Sequence, residues 1–313
     1  MSNAQDNMWA EGIREQVEFL RELNDVKRLR AQNLEFETYT SYIFRFACAA
    51  VVSGEPLRAG MWCAAVVAAA RLGAITPVVL KDIGLDASET VEILSNSISV
   101  HESLPVAIRD SLLAACCKLN TEFSEESAPR VDWIERLVVA PRAGATCPGK
   151  PRIVLEPAEM HSDHCAIVAV YGYLLADHFG ADREDAWLIG LCHHFHNAHL
   201  PDAGFTGEML LGAHLHQVLA KLRHRVIDTL PGSVQLRVNA LLQEVADVAT
   251  PLAKTFHAAD TIDRVLQMEY YERASQFRVR HALLDLNLVH EGAAQEFQYG
   301  LLQSIGLFPD SKL

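Results

Sequence analysis

Apolar residues in this chain recur at three- and four-residue spacing, and no stretch alternates convincingly with period two. Such spacing lines one face of a helix and does not suit a half-buried strand, so the expected class is all-α. Tyr39, Tyr42, Ile43, Phe46 and Ala50 mark one helical run. Leu211, Leu215, Val218, Leu222 and Val226 mark another, expected as one long helix over 207–229. Asp163 and Asp182 read as N-caps of helices that start at His164 and just after Asp182. The pattern breaks over 140–157, where Pro141, Gly144, Pro148, Gly149, Pro151 and Pro157 forbid a continuous helix, with 152–155 short enough to be extended. The expected organisation is a helical domain over 1–140, a linker over 141–157 and a second helical domain over 158–313.

Half of the 313 residues are hydrophobic, enough for a sizeable core. A net charge of −13 argues against binding long nucleic acid, while a nucleotide-sized ligand needs only a local basic pocket. The seven cysteines form no CxxC pair and sit mostly in apolar runs, which reads as reduced core thiols in a cytoplasmic protein. Residues 1–15 carry no apolar leader, and the longest small-apolar run, Met61 to Ala70, is too short to span a bilayer. No membrane partner is expected.

Function concentrates in Leu191–Gly204, where His193, His194, His196 and His199 fall within seven residues and Leu200-Pro201-Asp202 follows. Imidazole is the commonest metal ligand, and clustered ligand-type side chains are the sequence sign of a metal site. Candidates on other elements are His164, with His161 as a less well-placed substitute, and Asp260 with Asp263 one turn along.

The halves also look alike at an offset of about 126 residues: Leu104-Pro105 falls on Leu230-Pro231 and Gly54 on Gly180, with Trp62 and Trp187 one residue out of step. Asp132, Ile134 and Arg136 correspond to Asp260, Ile262 and Arg264. A tandem duplication is the reading, with a first copy that has lost its chemistry: Thr38 stands opposite His164, and Ala68-Ala69 opposite His193-His194. That copy would be structural or would form a homodimer.

The order His164, His193-His194, Asp260 resembles the HD superfamily of metal-dependent phosphohydrolases. Asp163-His164-Cys165 is similar to its first-His motif, Leu191-Cys192-His193-His194 to its Leu-Leu-His-Asp, and Ala259-Asp260-Thr261-Ile262-Asp263 to its last-Asp helix. His199-Leu200-Pro201-Asp202 is similar to the segment that follows the pair, and the interval from His193 to Asp260 resembles the 5′-nucleotidase branch. The resemblance covers roughly residues 155–290. It implies an HD-like helical bundle with His164, His193, His194 and Asp260 as metal ligands. It further implies hydrolysis of a nucleotide or small phosphate ester by metal-activated water, with Asp202 or Asp263 as general acid/base or as a carboxylate behind the ligands.

His194 departs from the pattern, which has Asp there, and Asn197 stands where the branch has an acidic residue. Three nitrogens and one carboxylate suit Fe, Co, Ni, Zn or Mn better than Mg. Two readings stay open: the phosphohydrolase, and a non-catalytic HD-like module for ligand sensing or oligomerisation. An Fe-dependent oxidative relative is a third, which would need the extra histidines as ligands. Lys221, Arg223 and Arg225, with His224, form the dense basic run of the second half, either a clamp for a small phosphorylated ligand or a solvated helix face. His214 and His216 are candidates for a second metal, while Cys165 and Cys192 are expected to pack rather than ligate.

Overall fold

A computed structural model describes residues 2–30, 37–122, 130–146, 153–274 and 278–308. It contains fourteen α-helices and, among the described residues, no strands, as the patterning requires. The first half carries α1 (Ser2–Asp25), α2 (Tyr39–Ser53), α3 (Ala59–Leu72), α4 (Pro77–Asp82), α5 (Ala87–Ser99), α6 (Val106–Glu122) and α7 (Asp132–Val139). The second carries α8 (His161–Phe179), α9 (Arg183–Cys192), α10 (Gly204–Leu211), α11 (Leu215–Ile227), α12 (Gly232–Glu244), α13 (Pro251–Ala274) and α14 (Gln295–Ser304).

α8 is the axle. Every residue from His161 to Ala176 is buried, as befits a helix that is largely apolar all round. It packs against α9, α13, α2 and α1, so both halves feed one buried core that runs from Ile13 to Leu307. α8 and α9 approach closely because two crossing positions lack a side chain. A Cβ on Gly190 would lie 2.6 Å from Ala169 Cα, and one on Gly172 would lie 2.5 Å from the Ala186 carbonyl oxygen. That close crossing fixes where α9 ends, and hence where His193 and His194 stand.

Local signals explain most boundaries. Asp182 caps α9 through Asp185 N–H at 2.9 Å, as expected. Asp163, expected to open its helix, instead lies inside the first turn: α8 starts at His161, and Asp163 Oδ2 accepts from Met160 N–H at 3.3 Å. The remaining Asp163 oxygen accepts from Thr38, Thr40 and Ser41, which tie α2 to the start of α8. α4 opens on Pro77, whose fixed φ suits a first helical position, with Thr76 capping Val79 N–H.

The long helix expected over 207–229 is two helices. Gly212 takes φ +52°, a left-handed conformation that ends α10, and a 3-10 turn over Gly212–His214 leads into α11. The apolar stripe misled because it counts spacing and not burial: α10 buries none of its residues, while α11 buries Leu222, Val226 and Ile227. In the Pro/Gly stretch, Ala145 and Ile153 pair as an isolated bridge, and Pro141 pairs with Met160. Residues 147–152, which include Cys147, Pro148, Gly149, Pro151 and Arg152, lie outside the described residues, as do 31–36. No helix among the described residues is long and apolar enough to cross a membrane.

Candidate metal centre

Three helices carry the centre. His164 projects from the first turns of α8, completely buried. His193 is the residue on which α9 ends, and His194 follows it. α13 supplies Asp260 and Asp263. His164 Nε2 lies 3.1 Å from His193 Nε2 and 3.2 Å from Asp260 Oδ1, and His193 Nε2 is 4.0 Å from the same oxygen. One nitrogen each of His164, His193 and His194 falls within a 4.8 Å cluster.

Hydrogen bonds at the far side of each ring fix the tautomers. His164 Nδ1 is 2.7 Å from Asp263 Oδ2, an oxygen that can only accept from it. His193 Nδ1 donates to the Gly190 carbonyl at 2.7 Å, and His194 Nδ1 to Asn197 Oδ1 at 2.8 Å. Each Nε2 is then a lone-pair acceptor: those of His164 and His193 face each other, and that of His194 faces Arg142 Nη1 at 3.3 Å. Two of these lone pairs and a carboxylate oxygen converge in a buried space, a mutually repulsive set that a cation relieves. The donor set therefore fits a divalent metal.

Electrostatics favour neutral rings at His193 and His194. Burial pushes His193 down to about 3, helped by His164, so its ring is neutral at physiological pH. Burial likewise drives His194 well below the usual histidine value, with His193 and His161 adding to it. Burial works against the Asp260 charge, and the Arg264 guanidinium, 4.0 Å from Oδ2, works for it.

A family model described as "HD domain" matches residues 137–301, just over half the chain, from α7 into α14. The chain belongs to the HD-domain family. No curated protein and no solved structure matches it. The family match covers His164, His193, His194 and Asp260.

The remaining expected residues of this HD domain fall in different places. Asp263 is buried with no exposure, and its oxygens are taken by His164, Lys27 Nζ at 2.6 Å and Asn24 Nδ2 at 3.0 Å, so it stands behind His164. Asp202 Oδ2 accepts from Ala143 N–H at 3.0 Å and lies 3.7 Å from His161 Nε2, while Oδ1 accepts from Gly204 N–H at 2.8 Å. His161 is fully buried, and neither ring nitrogen has a hydrogen-bond partner. Of the basic run, Lys221 and Arg225 are exposed; Arg223 is half-buried and its charge acts on Glu208 and His196. His214 and His216 are exposed. Cys165 and Cys192 are free and completely buried, and burial pushes both thiols up, as packing residues require.

Sequence reasoning missed the cations nearest the HD centre. Arg142 Nη1 lies 3.3 Å from His194 Nε2, and Arg142 Nε lies 3.4 Å from Glu159. Arg264 Nη1 is 4.0 Å from Asp260 Oδ2, while Nη2 reaches His290 Nε2 at 3.2 Å and the Leu288 carbonyl. Arg264 stands four residues after Asp260, a spacing that puts both on one helix face and would have revealed it. Arg142 had no such signal, because it sits in the Pro/Gly stretch read as a linker.

Proposed function

We propose that this HD-domain chain is a metal-dependent phosphohydrolase acting on a nucleotide or another small phosphate ester. The observation that carries this reading is the convergence of bare Nε2 lone pairs on Asp260, with the guanidiniums of Arg142 and Arg264 beside them. A divalent metal held by His164, His193, His194 and Asp260 would supply Lewis acidity and a water of lowered pKa. Fe, Co, Ni, Zn or Mn suits this nitrogen-rich set.

The chain's own residues do the rest. Arg142 and Arg264 are planar, permanently charged donors suited to the phosphoryl oxygens of a small anionic substrate. Asp263 holds His164 in the tautomer that leaves Nε2 free. Asp202 is the carboxylate we assign to proton exchange, because it is 14% exposed whereas Asp263 is fully buried. Arg223 is the member of the basic run that we retain as a substrate contact.

The alternative, a non-catalytic module for ligand sensing or oligomerisation, is favoured by one contact. Arg142 Nη1 approaches His194 Nε2, the lone pair that a fourth ligand needs. A degenerate first copy is supported by Gly54 and Gly180, which both end their helices in the left-handed conformation before a Trp-bearing helix. Homodimerisation through that half and a cytoplasmic location, the latter consistent with free buried thiols, belong to the same reading.

The test is hydrolysis of nucleoside monophosphates and simple phosphate esters by metal-loaded wild-type, His164→Ala and His194→Asp proteins. Turnover abolished in His164→Ala supports the phosphohydrolase. Metal binding without turnover in wild type, with turnover appearing in His194→Asp, supports the non-catalytic module.

A further inference from the structure

α1 lies far from the histidines in the chain but against them in space. Lys27, just beyond its C-terminal end, is buried with its side chain 3% exposed. Its ammonium lies 2.6 Å from Asp263 Oδ1 and 2.5 Å from Glu159 Oε1. Asn24, one turn earlier, donates to the same Asp263 oxygen at 3.0 Å. Asp263 in turn accepts from His164, and Glu159 faces Arg142, which reaches His194. One polar chain therefore runs His164–Asp263–Lys27–Glu159–Arg142–His194, with Lys27 at its middle.

We infer that Lys27 is a positioning residue of the metal centre, contributed by the N-terminal segment. A buried ammonium between two carboxylates offsets their mutual repulsion and holds both in place. Asp263 then aims His164 Nδ1–H, which leaves Nε2 bare toward the metal. Glu159 in turn holds the Arg142 guanidinium through its Nε at 3.4 Å. Groups behind a ligand tune metal affinity nearly as strongly as ligands do, and their loss typically lowers it about 10–100-fold. The first half thereby acts on the site although it supplies none of the four ligands. This inference rests on the metal-centre reading above.

The experiment is a competition titration of full-length protein with Co²⁺, monitored by its visible absorption, for wild type, Lys27→Met and Lys27→Arg. Melting in chelator reports the fold without metal. The inference predicts a roughly 10–100-fold weaker Co²⁺ affinity and an altered Co²⁺ spectrum for Lys27→Met, with most of the affinity recovered in Lys27→Arg. A double variant of Lys27→Met with Asp263→Asn should lose less than the product of the two single losses, because both act through His164. A purely structural role would lower the melting temperature in chelator and leave the Co²⁺ affinity of the folded protein unchanged; that result overturns the inference. If Lys27→Met does not fold, Lys27→Gln removes the charge while keeping a polar donor and should weaken Co²⁺ about tenfold or more, with wild-type affinity again overturning the inference. Wild-type protein that binds no Co²⁺ sinks the metal reading itself, and this inference with it.

Discussion

Replacing Asp263 with Asn probes the tautomer argument without changing shape. All three partners of the carboxylate are donors: Lys27 Nζ and Asn24 Nδ2 at Oδ1, and His164 Nδ1 at Oδ2. An amide has one accepting oxygen, so one side must turn its NH₂ toward former donors. Turning it toward a buried ammonium and a second amide is the worse choice, so the new oxygen should face Lys27 and the NH₂ should face His164. His164 then accepts at Nδ1 and carries its hydrogen on Nε2, which can no longer ligate. Loss of a charge-assisted hydrogen bond should destabilise the protein without metal by about 2 kcal/mol. The roughly 3–5 kcal/mol of a fully broken buried pair is not expected, because Lys27 keeps Glu159 at 2.5 Å. Co²⁺ affinity should fall about 100-fold, the upper end for a group behind a ligand. The assays are denaturant unfolding in chelator, Co²⁺ competition, and imidazole ¹⁵N NMR of His164. A variant with wild-type Co²⁺ affinity and its His164 hydrogen still on Nδ1 would refute the reasoning.

Three further outcomes follow from the packing and charges. Gly190→Ala would press a Cβ to 2.6 Å from the α8 backbone at Ala169, so it should cost roughly 1–3 kcal/mol or more and weaken metal binding by moving His193; calorimetry and Co²⁺ titration check both. Arg264→Ala should leave metal bound yet raise KM for phosphate esters, because it removes a guanidinium beside Asp260 and no ligand; steady-state kinetics with metal analysis decides. His101, whose ring lies 4.6 Å from that of Phe19 in a tilted arrangement and away from the candidate metal centre, is pushed down to about 4 by burial, with the Arg71 charge adding to it. A histidine held neutral when folded binds fewer protons than it does unfolded. Its contribution is therefore present above about pH 6.5 and is lost as pH falls from there toward 4. His101→Phe should flatten the fall in melting temperature over that window, and an unchanged pH profile would contradict the assignment.

The candidate donors are legible because ligand-type side chains leave marks that survive in one dimension. His193-His194 at a helix end and Asp260 with Asp263 three residues on declare their faces through local spacing alone. Arg264 carried the same kind of mark, four residues past Asp260, but was read only as a token of the repeat. Lys27 and Asn24 left none: 239 residues separate Asn24 from Asp263, and helical periodicity says nothing about which helices meet. The family match likewise begins at residue 137 and does not reach α1. The division of 207–229 at Gly212 shows the complementary limit. A glycine inside an apolar period is tolerated in many helices, and its φ of +52° is visible only in the folded chain. Position alone makes His161 a candidate ligand; that both its nitrogens lack a partner, with Nε2 3.7 Å from Asp202, is a property of the packed site.

Uptake of a metal by this donor set is the property on which its proposed chemistry depends. Elemental analysis of untagged protein, purified without chelator from metal-supplemented medium, should find about one equivalent of a transition metal per chain and almost none in His164→Ala. Wild-type protein that is metal-free under those conditions, or His164→Ala protein that retains its metal, would contradict the assignment of His164, His193, His194 and Asp260 as a metal centre.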